Sequence, residues 1–304
     1  MLKRFKRTAR AILSNLQDDV ARRTCDQIEL RNQLPASVAE KLLEHQYQQM
    51  LRDGVPLPPL RETGWKRYSQ TDEDGIIHYI FSIAGSTNRK CVEICASEGK
   101  ECNSANLLLN RQWTGLLVDG SPAKIEAGKR WYEQHRGTYV YPPRFEHLWV
   151  TRDNVDPMLE RTGFAGDIDL MSIDLDGVDY WVWEAITAAR PRVLVIEYQQ
   201  HLGPDRAVTV PYSDDFNAWT YPKTGWLPNY AGASLAALAK LGARKGYRLV
   251  GSNHLCFNAF FVRDDVAPTA LPEVPVASCF AHDRAIWSMS KRWPTVAHMP
   301  WVEV

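Results

Sequence analysis

Carboxylate side chains follow several apolar runs in the middle of this 304-residue chain. Strand-like runs end at Glu93, Asp119, Asp174 and Glu197. Parallel strands place their carboxyl ends at one edge of a sheet, and ligands bind beyond that edge, so we expect these acids to line one site. Grouped carboxylates can attract a cationic ligand, coordinate a hard metal ion or move a proton. The sequence therefore predicts an acidic ligand site.

The loop after the first predicted strand is laid out like a cofactor-binding turn but has only one glycine. In "VEICASEGK", Cys95, Ser97 and Gly99 stand where a dinucleotide-binding loop has glycines. A pyrophosphate needs bare backbone there, and Glu93 and Glu98 would repel it. S-adenosylmethionine (SAM) has no phosphate but carries a sulfonium cation, an ammonium group and a ribose diol. The acidic loop therefore favours SAM over NAD.

Asp119 ends the next predicted strand, twenty residues beyond Gly99. An acid at this place can accept hydrogen bonds from both ribose hydroxyls. A lone Asp before Gly is otherwise a common turn residue. Considered together with Glu93 and the Gly99 loop, the ribose role is the favoured interpretation.

Alternating elements must position these acids. Between residues 66 and 200, apolar strand-like runs alternate with helical segments, one of them opened by Ser121 as cap and Pro122 at the first helical position. This pattern predicts an α/β fold with a Rossmann-like, mostly parallel sheet and helices on both faces. Near the end, "YRLV" and "NAFFVR" are separated by a loop too short for a crossover helix, which predicts a terminal antiparallel strand pair. That pair fits a methyltransferase sheet better than a dehydrogenase sheet.

The chain is expected to divide into a helical N-terminal extension with a proline-rich linker, residues 1–60, and a catalytic domain, residues 61–304. Residues 1–23 predict a basic amphipathic helix. Its favoured role is packing on its own domain or on a sister subunit, which would make a homo-oligomer through the N-terminal helices; contact with an anionic membrane surface is the alternative. A long aromatic insertion, about residues 201–230, is expected to be functional or a lid.

Composition excludes some classes of function. Lys+Arg and Asp+Glu number 36 each, so the charge gives no support for nucleic-acid binding. No apolar run approaches the 18 or so residues of a transmembrane span, and no signal-peptide core is evident at the start. The six cysteines lack paired CxxC spacing, which argues against zinc, and Cys91 and Cys95 are expected to be inert core thiols. A cytoplasmic protein is therefore expected.

Several stretches in order carry a family resemblance: "SQTDEDGIIHYIF", "VEICASEGKECNSANLL", "GLLVDGS", "SIDLDGVDYWVWEAI" and "VLVIEYQ". Over roughly residues 66–264 the chain resembles a class I SAM-dependent methyltransferase of the FkbM-type group, although that group usually has glycine where this chain has Cys95. The resemblance implies O-methylation of a hydroxyl on a sugar or secondary metabolite. It implies that the cofactor is held by Glu93, Ser97, Gly99, Asp119 and Asp174, with Thr151 to Asn154 near the adenine. The expected cofactor site also includes Ala96, Asn103, Gly120 and Ser121.

The segment "SIDLDGVDYW" leaves other functions open. Asp174 and Asp176 form a DxD pair that could grip a metal-bound nucleotide sugar in a glycosyltransferase, although the acidic first loop argues against a diphosphate. A calcium loop is excluded because Val178 and Asp179 stand where it needs an acid and a glycine. Asp179 is expected to be a helix N-cap. A SAM-binding module without catalysis is the third alternative.

Four residues are candidates for catalysis: Asp174, Asp176, Glu197 and His254. In one mechanism Asp176 and Glu197 hold a divalent cation such as Mg²⁺, which lowers the pKa of the acceptor hydroxyl. In the other, His254 or a carboxylate takes the proton directly. The metal-free mechanism is favoured, so no metal ligand is assigned. Aromatic residues of the insertion suggest a small-molecule or sugar-like substrate.

Overall fold

The computed structural model describes residues 36–304, so the predicted basic helix at residues 1–23 lies outside the described part. The first described helix, α1, covers residues 36–52. Residues Met50–Val304 form a compact unit that contains the sheet. Among the described residues, no helix is long and apolar enough to span a membrane. The predicted boundary at residue 60 stays a prediction.

Seven strands form the central sheet, in the order β3-β2-β1-β4-β5-β10-β9. The first five are parallel, and β10 runs antiparallel to both β5 and β9. The predicted mostly parallel, Rossmann-like sheet and its terminal antiparallel pair are confirmed. The strands of this sheet are β1 (Lys90–Ile94), β2 (Thr114–Asp119), β3 (Arg144–His147), β4 (Gly166–Ile173), β5 (Ala189–Glu197), β9 (Tyr247–Ser252) and β10 (Asn258–Arg263).

The strand register brings the predicted acids to one edge. One row of paired residues crosses the four strands β2, β1, β4 and β5: Val118, Ile94, Ile173 and Ile196. The residues that follow them in the chain therefore leave the sheet at one level: Asp119, Cys95, Asp174 and Glu197. The four strands are apolar on both faces, as is typical of parallel strands buried between two layers of helices.

Helices cover both faces of the sheet, as predicted. On one face, α5 (Val155–Thr162), α6 (Asp179–Ala185) and α7 (Leu235–Lys245) share a core with alternating strand residues such as Val92 and Ile94. On the other face, Leu108 of α3 (Ala105–Asn110) lies against Gly115 of β2. The other helices after α1 are α2 (Glu73–Ala84), α4 (Pro122–Gln134), α8 (Asp283–Lys291) and α9 (Trp293–Val296).

Helix starts agree with the sequence in one case and differ in another. The Ser121 hydroxyl accepts a hydrogen bond from Lys124 N, with Pro122 at the first helical position, as predicted. The expectation that Asp179 is an N-cap is wrong: Asp179 is the first helical residue, after Val178. Its carboxylate instead bonds backbone upstream of the helix.

The insertion after β5 packs with the C-terminal segment. The two-residue strand β6 (Val208–Thr209) pairs with β11 (Val302–Glu303), and β7 (Lys223–Thr224) pairs with β8 (Leu227–Pro228). A small apolar cluster joins the two segments: Val210, Tyr230 and Val296, with Phe216, Tyr221, Trp293, Met299 and Trp301 against them. The insertion is therefore an ordered cap, held by residues near the C-terminus.

Candidate active site

The glycine-poor loop keeps a left-handed backbone. The φ angles of Cys95, Ser97 and Gly99 are 67°, 54° and 70°. A dinucleotide-binding loop has glycines at the three corresponding positions. A non-glycine residue in this conformation costs about 1–2 kcal/mol. Surrounding contacts must therefore hold the loop.

Two buried carboxylates hold it. Asp119 accepts hydrogen bonds from Ser97 N and Ser121 N, both at 2.8 Å. Glu93 accepts from Asn103 N at 3.0 Å and Ser104 N at 2.9 Å. Burial raises the pKa of Glu93 to about 7, although these hydrogen bonds lower it. Glu93 thus anchors the turn that leads into α3.

Two further predicted cofactor residues lie within this framework. Ala96 is buried, and its N–H donates to Val118 O at 2.8 Å. The side-chain amide of Asn103, also buried, donates to Ser172 Oγ at 3.0 Å. Both residues connect the loop to neighbouring strands.

A cavity of about 340 Å³, here called the loop cavity, opens beside this turn. Asp119, Gly120 and Ser121 line one side, and the insertion contributes the opposite side. A Cβ on Gly120 would lie 2.8 Å from the Trp149 ring, so the absence of a side chain lets that ring approach. Cys95, Trp149, Val150, Leu175, Asp176 and Phe216 also line it.

Thr151 and Asn154 do not line this cavity, but Asn154 bonds to a residue that does. Thr151 N donates to Asn154 Oδ1 at 2.8 Å, and Asn154 Nδ2 donates to Trp149 O at 2.9 Å. The cavity itself is lined by Trp149 and Val150. The Trp149 indole N–H donates to Asp214 O at 2.7 Å, which ties this wall to the insertion.

A second cavity, here called the carboxylate cavity, has a volume of about 200 Å³ and contains the acidic cluster. One carboxylate oxygen from each of Asp174, Asp176 and Glu197 lies within 4.8 Å of the others. Burial, and then the charge of Asp176, raises the pKa of Asp174 well above its ordinary value. Burial followed by the charge of Asp174 does the same for Glu197. Burial also raises the pKa of Asp176, and Lys124 opposes this effect.

These pKa shifts define what the cluster can do. Carboxylates with raised pKa hold protons closer to neutral pH, so one of them can act as a general base. Three carboxylate oxygens are also the ligand type that Mg²⁺, Ca²⁺ or Mn²⁺ prefers. Glu197 Oε2 already accepts a hydrogen bond from Gln199 Nε2 at 3.1 Å.

The loop that carries the DxD pair is fixed by Asp179. This carboxylate accepts from Leu175 N at 2.7 Å and Gly177 N at 3.0 Å. Burial raises the pKa of Asp179 to about 6. Asp176, between these two donors, has a φ of 53° and faces both cavities.

The two cavities adjoin. Asp176 and Trp219 line both of them. A ligand in the loop cavity and a second ligand in the carboxylate cavity would therefore meet at these two residues. This is the geometry that a transfer between two bound molecules requires.

His254 does not line the carboxylate cavity. It lines a different cavity, with Leu60 and His282, and its ring is 4.6 Å from that of His282. Its backbone N–H donates to the Asp72 carboxylate at 3.1 and 3.2 Å. The expectation that the late loop folds His254 against the three carboxylates is therefore corrected: Phe257, three residues later, lines their cavity instead.

Cys95 also differs from expectation. Cys91 is buried, but Cys95 is exposed and lines the loop cavity. The left-handed turn directs its side chain out of the core. Desolvation in the cleft, and then the charge of Asp174, raises the pKa of its thiol.

Sequence reasoning missed the polar residues that face the acids. Gln199, Gln200, Arg284 and Arg292 line the carboxylate cavity. The two glutamines lie two and three residues after Glu197, so their place just beyond β5 was a usable signal. The arginines come from α8 and its end, more than 80 residues away, where an arginine in an amphipathic helix reads as solvent-exposed.

Comparisons with known proteins give structural matches alone. No family model and no curated protein sequence matches the chain. The magnesium protoporphyrin IX methyltransferase of Synechocystis PCC 6803, with bound SAM, is 11% identical with a TM-score of 0.40, over 63% of this chain and 77% of that one. A SAM-dependent methyltransferase from Clostridium acetobutylicum ATCC 824 is 11% identical with a TM-score of 0.40, over 73% and 98%.

The N-terminal domain of EvdMO1 with bound SAH, the demethylated form of SAM, is 11% identical with a TM-score of 0.41, over 73% of this chain and 94% of that one. The solved structures similar to this fold thus include several methyltransferases. At these identities and scores they carry no argument about function, which rests on the site itself.

Proposed function

We propose that this protein is a SAM-dependent methyltransferase that methylates a hydroxyl oxygen. One observation carries the proposal: a left-handed loop and Asp119 border one cavity, a carboxylate cluster borders a second, and both cavities meet at Asp176 and Trp219. This arrangement supports a donor and an acceptor held side by side. The resemblance in sequence extends the proposal to the FkbM-type group.

The residues around the loop cavity fit the cofactor. A carboxylate offers about four acceptor positions; on Asp119 two backbone N–H groups occupy two of them, and the Cys95 thiol, a weak donor at 4.0 Å, makes a third contact. Asp119 can therefore accept hydrogen bonds from ribose hydroxyls. Trp149 and Val150 offer an apolar wall for adenine, and Asp174, in the adjoining carboxylate cavity, offers carboxyl oxygens to the ammonium group. SAM itself supplies a methyl group already activated on a sulfonium.

The chain's own contribution to catalysis is orientation and proton removal. Burial raises the pKa of all three carboxylates, and neighbouring carboxylate charge raises the pKa of Asp174 and Glu197 further, so protons are held at the cluster closer to neutral pH. We propose that the deprotonated member accepts the proton of the acceptor hydroxyl as the new bond to oxygen forms. The carboxylate cavity, about 200 Å³, fits a small molecule or one sugar unit. Trp219 of the insertion lines both cavities and shields part of their shared boundary from solvent.

Metal-free proton removal is the proposed mechanism. The cluster of Asp174, Asp176 and Glu197 has the right ligand type for Mg²⁺, but Glu197 already accepts from Gln199. Turnover measured after exhaustive chelation distinguishes the two mechanisms. We expect full activity in EDTA, a rate that rises with pH through a range above the ordinary carboxylate pKa, and a large loss in Asp176→Asn. Activity that EDTA abolishes and Mg²⁺ restores would contradict this mechanism.

The same cluster favours one alternative function. Asp174 and Asp176 could hold the metal ion of a nucleotide-sugar glycosyltransferase. That function places a diphosphate next to Asp119 and Asp176, which line the loop cavity, where carboxylates repel phosphate. Release of a nucleoside diphosphate from a nucleotide sugar, rather than SAH from SAM, would support it.

A further inference from the structure

The wall of the carboxylate cavity that faces the acids contains donors without acceptors. Arg284 of α8 is half-buried, and its guanidinium lies 5.5 Å from the centre of the Phe257 ring. Within residues 36–304 this guanidinium forms no hydrogen bond and no ion pair. Its five N–H donors are therefore available to a ligand in the cavity.

Arg292 follows α8 and is only 3% exposed. Nε donates to Asn229 Oδ1 at 3.1 Å, and Nη2 donates to Gln199 Oε1 at 3.2 Å and to Pro228 O at 2.7 Å. All three acceptors are neutral, so no contact within residues 36–304 neutralises the charge directly. Burial lowers the pKa of Arg292 to about 10, Glu197 opposes this effect, and the charge of Arg284 lowers the pKa further. The two cations thus repel each other in a partly dry cavity.

Gln200 adds a third donor. It is 2% exposed and lines the same cavity, and its Nε2 atom is buried without a hydrogen-bond partner among the described residues. A buried donor without an acceptor costs free energy. A ligand that accepts this hydrogen bond would recover that cost.

We propose that Arg284, Arg292 and Gln200 form a subsite for an anionic group, a carboxylate or a phosphate, on the methyl acceptor. Guanidinium groups only donate, and their planar fork matches the oxygens of both anions. An anion also relieves the repulsion between the two arginines. The acidic wall repels an anion and receives the neutral hydroxyl end, so the acceptor carries a hydroxyl at one end and an anion at the other. That it is a methyl acceptor rests on the proposed function.

Calorimetry on the full chain tests the subsite with three probes: inorganic phosphate, D-glucuronate and D-glucose, each with and without SAH. We expect both anions to bind at least tenfold more tightly than D-glucose. Arg284→Gln should weaken anion binding about tenfold, and Arg284→Lys should retain part of it. Arg130→Gln, which changes an exposed arginine outside the cavity, should change nothing. Stronger binding of glucuronate than of phosphate assigns the anion as a carboxylate, and the reverse assigns a phosphate.

Equal affinities for D-glucose and the anions, no binding of either anion, or unchanged binding in Arg284→Gln would each overturn the subsite. The Arg284 side chain makes no hydrogen bond among residues 36–304, and its backbone N–H, which donates to His282 Nδ1, is kept in both variants, so they should fold. SAH binding reports separately on the proposed function. Anion binding without SAH binding would overturn the methyltransferase assignment while the subsite stands.

Discussion

Cys95 occupies a left-handed position that glycine fills without strain. Its φ of 67° and its exposed side chain mean that the thiol contributes little packing to offset the strain. Cys95→Gly should therefore have a free energy of unfolding about 1 kcal/mol higher than Cys95→Ala, because both lose the sulfur but alanine keeps the strained backbone. Urea denaturation of both variants measures the difference. Equal stabilities would contradict a left-handed Cys95.

Glu93 makes stability depend on pH. Its pKa rises from 4.5 in the unfolded chain to about 7 in the fold. Below about pH 4.5 the Glu93 carboxyl is neutral in both the folded and the unfolded state, so its full contribution to the free energy of unfolding is present. As pH rises towards 7 the unfolded chain loses the proton first, and stability falls by on the order of 3 kcal/mol.

Chemical denaturation between pH 4.5 and 8 measures this slope. Glu93→Gln should flatten the decline, whatever its effect on absolute stability. Glu126→Gln, at an exposed position of α4, serves as the matched control and should leave the slope unchanged. A wild-type slope retained in Glu93→Gln would exclude a raised pKa at this residue.

Residue types at the strand ends could be predicted because each is adjacent in sequence to an apolar strand. Glu93, Asp119, Asp174 and Glu197 follow this rule. The side-chain partners could not be predicted, because Glu93 and Asp119 bond backbone groups whose positions depend on the loop path. The loop path also explains why the exposure of Cys95 was not predicted. Its position after an apolar strand suggested a buried thiol, but the left-handed backbone at Cys95 directs the side chain out of the core.

At the scale of elements, the insertion closes over the loop cavity through Phe216. This ring stacks on Tyr221, with centroids 5.6 Å apart, and its edge contacts Gly177. A Cβ at Gly177 would collide with the ring. Gly177→Ala should therefore displace the cap and weaken SAH binding about tenfold, or about 1.4 kcal/mol.

The double variant Gly177→Ala with Phe216→Ala removes the collision and should recover part of that affinity. Calorimetry with SAH measures all three proteins. An affinity in Gly177→Ala equal to that of the wild type would show that the cap does not depend on this contact.

Elements with regular periodicity were predicted well, and those fixed by tertiary contacts were not. The strands of the parallel sheet and the β9–β10 pair could be read from apolar runs and loop length. The C-terminal helices α8 and α9 were missed. Their amphipathic patterns are too short to predict a helix, and the helices are stabilised by packing on the insertion. Arg284 and Arg292 were missed with them.

At the scale of the whole molecule, the sheet edge, the insertion and the C-terminal segment enclose two cavities that meet at Asp176 and Trp219. In the proposed function, the acids favour a cationic cofactor in the loop cavity and a hydroxyl group in the carboxylate cavity. The N-terminal helices stay a proposed contact for a second copy of the chain, because residues 1–35 lie outside the described part.

Calorimetry of the full chain with SAM, SAH, NAD and a nucleotide sugar tests the central claim most directly. We expect SAM and SAH to bind, and NAD and the nucleotide sugar not to bind. Asp119→Ala should weaken SAM binding by about 1.5–3 kcal/mol, the scale of a hydrogen bond to a charged group. Asp205→Ala, at an exposed turn outside both cavities, should bind like the wild type. Binding of NAD or the nucleotide sugar without binding of SAM would contradict the account.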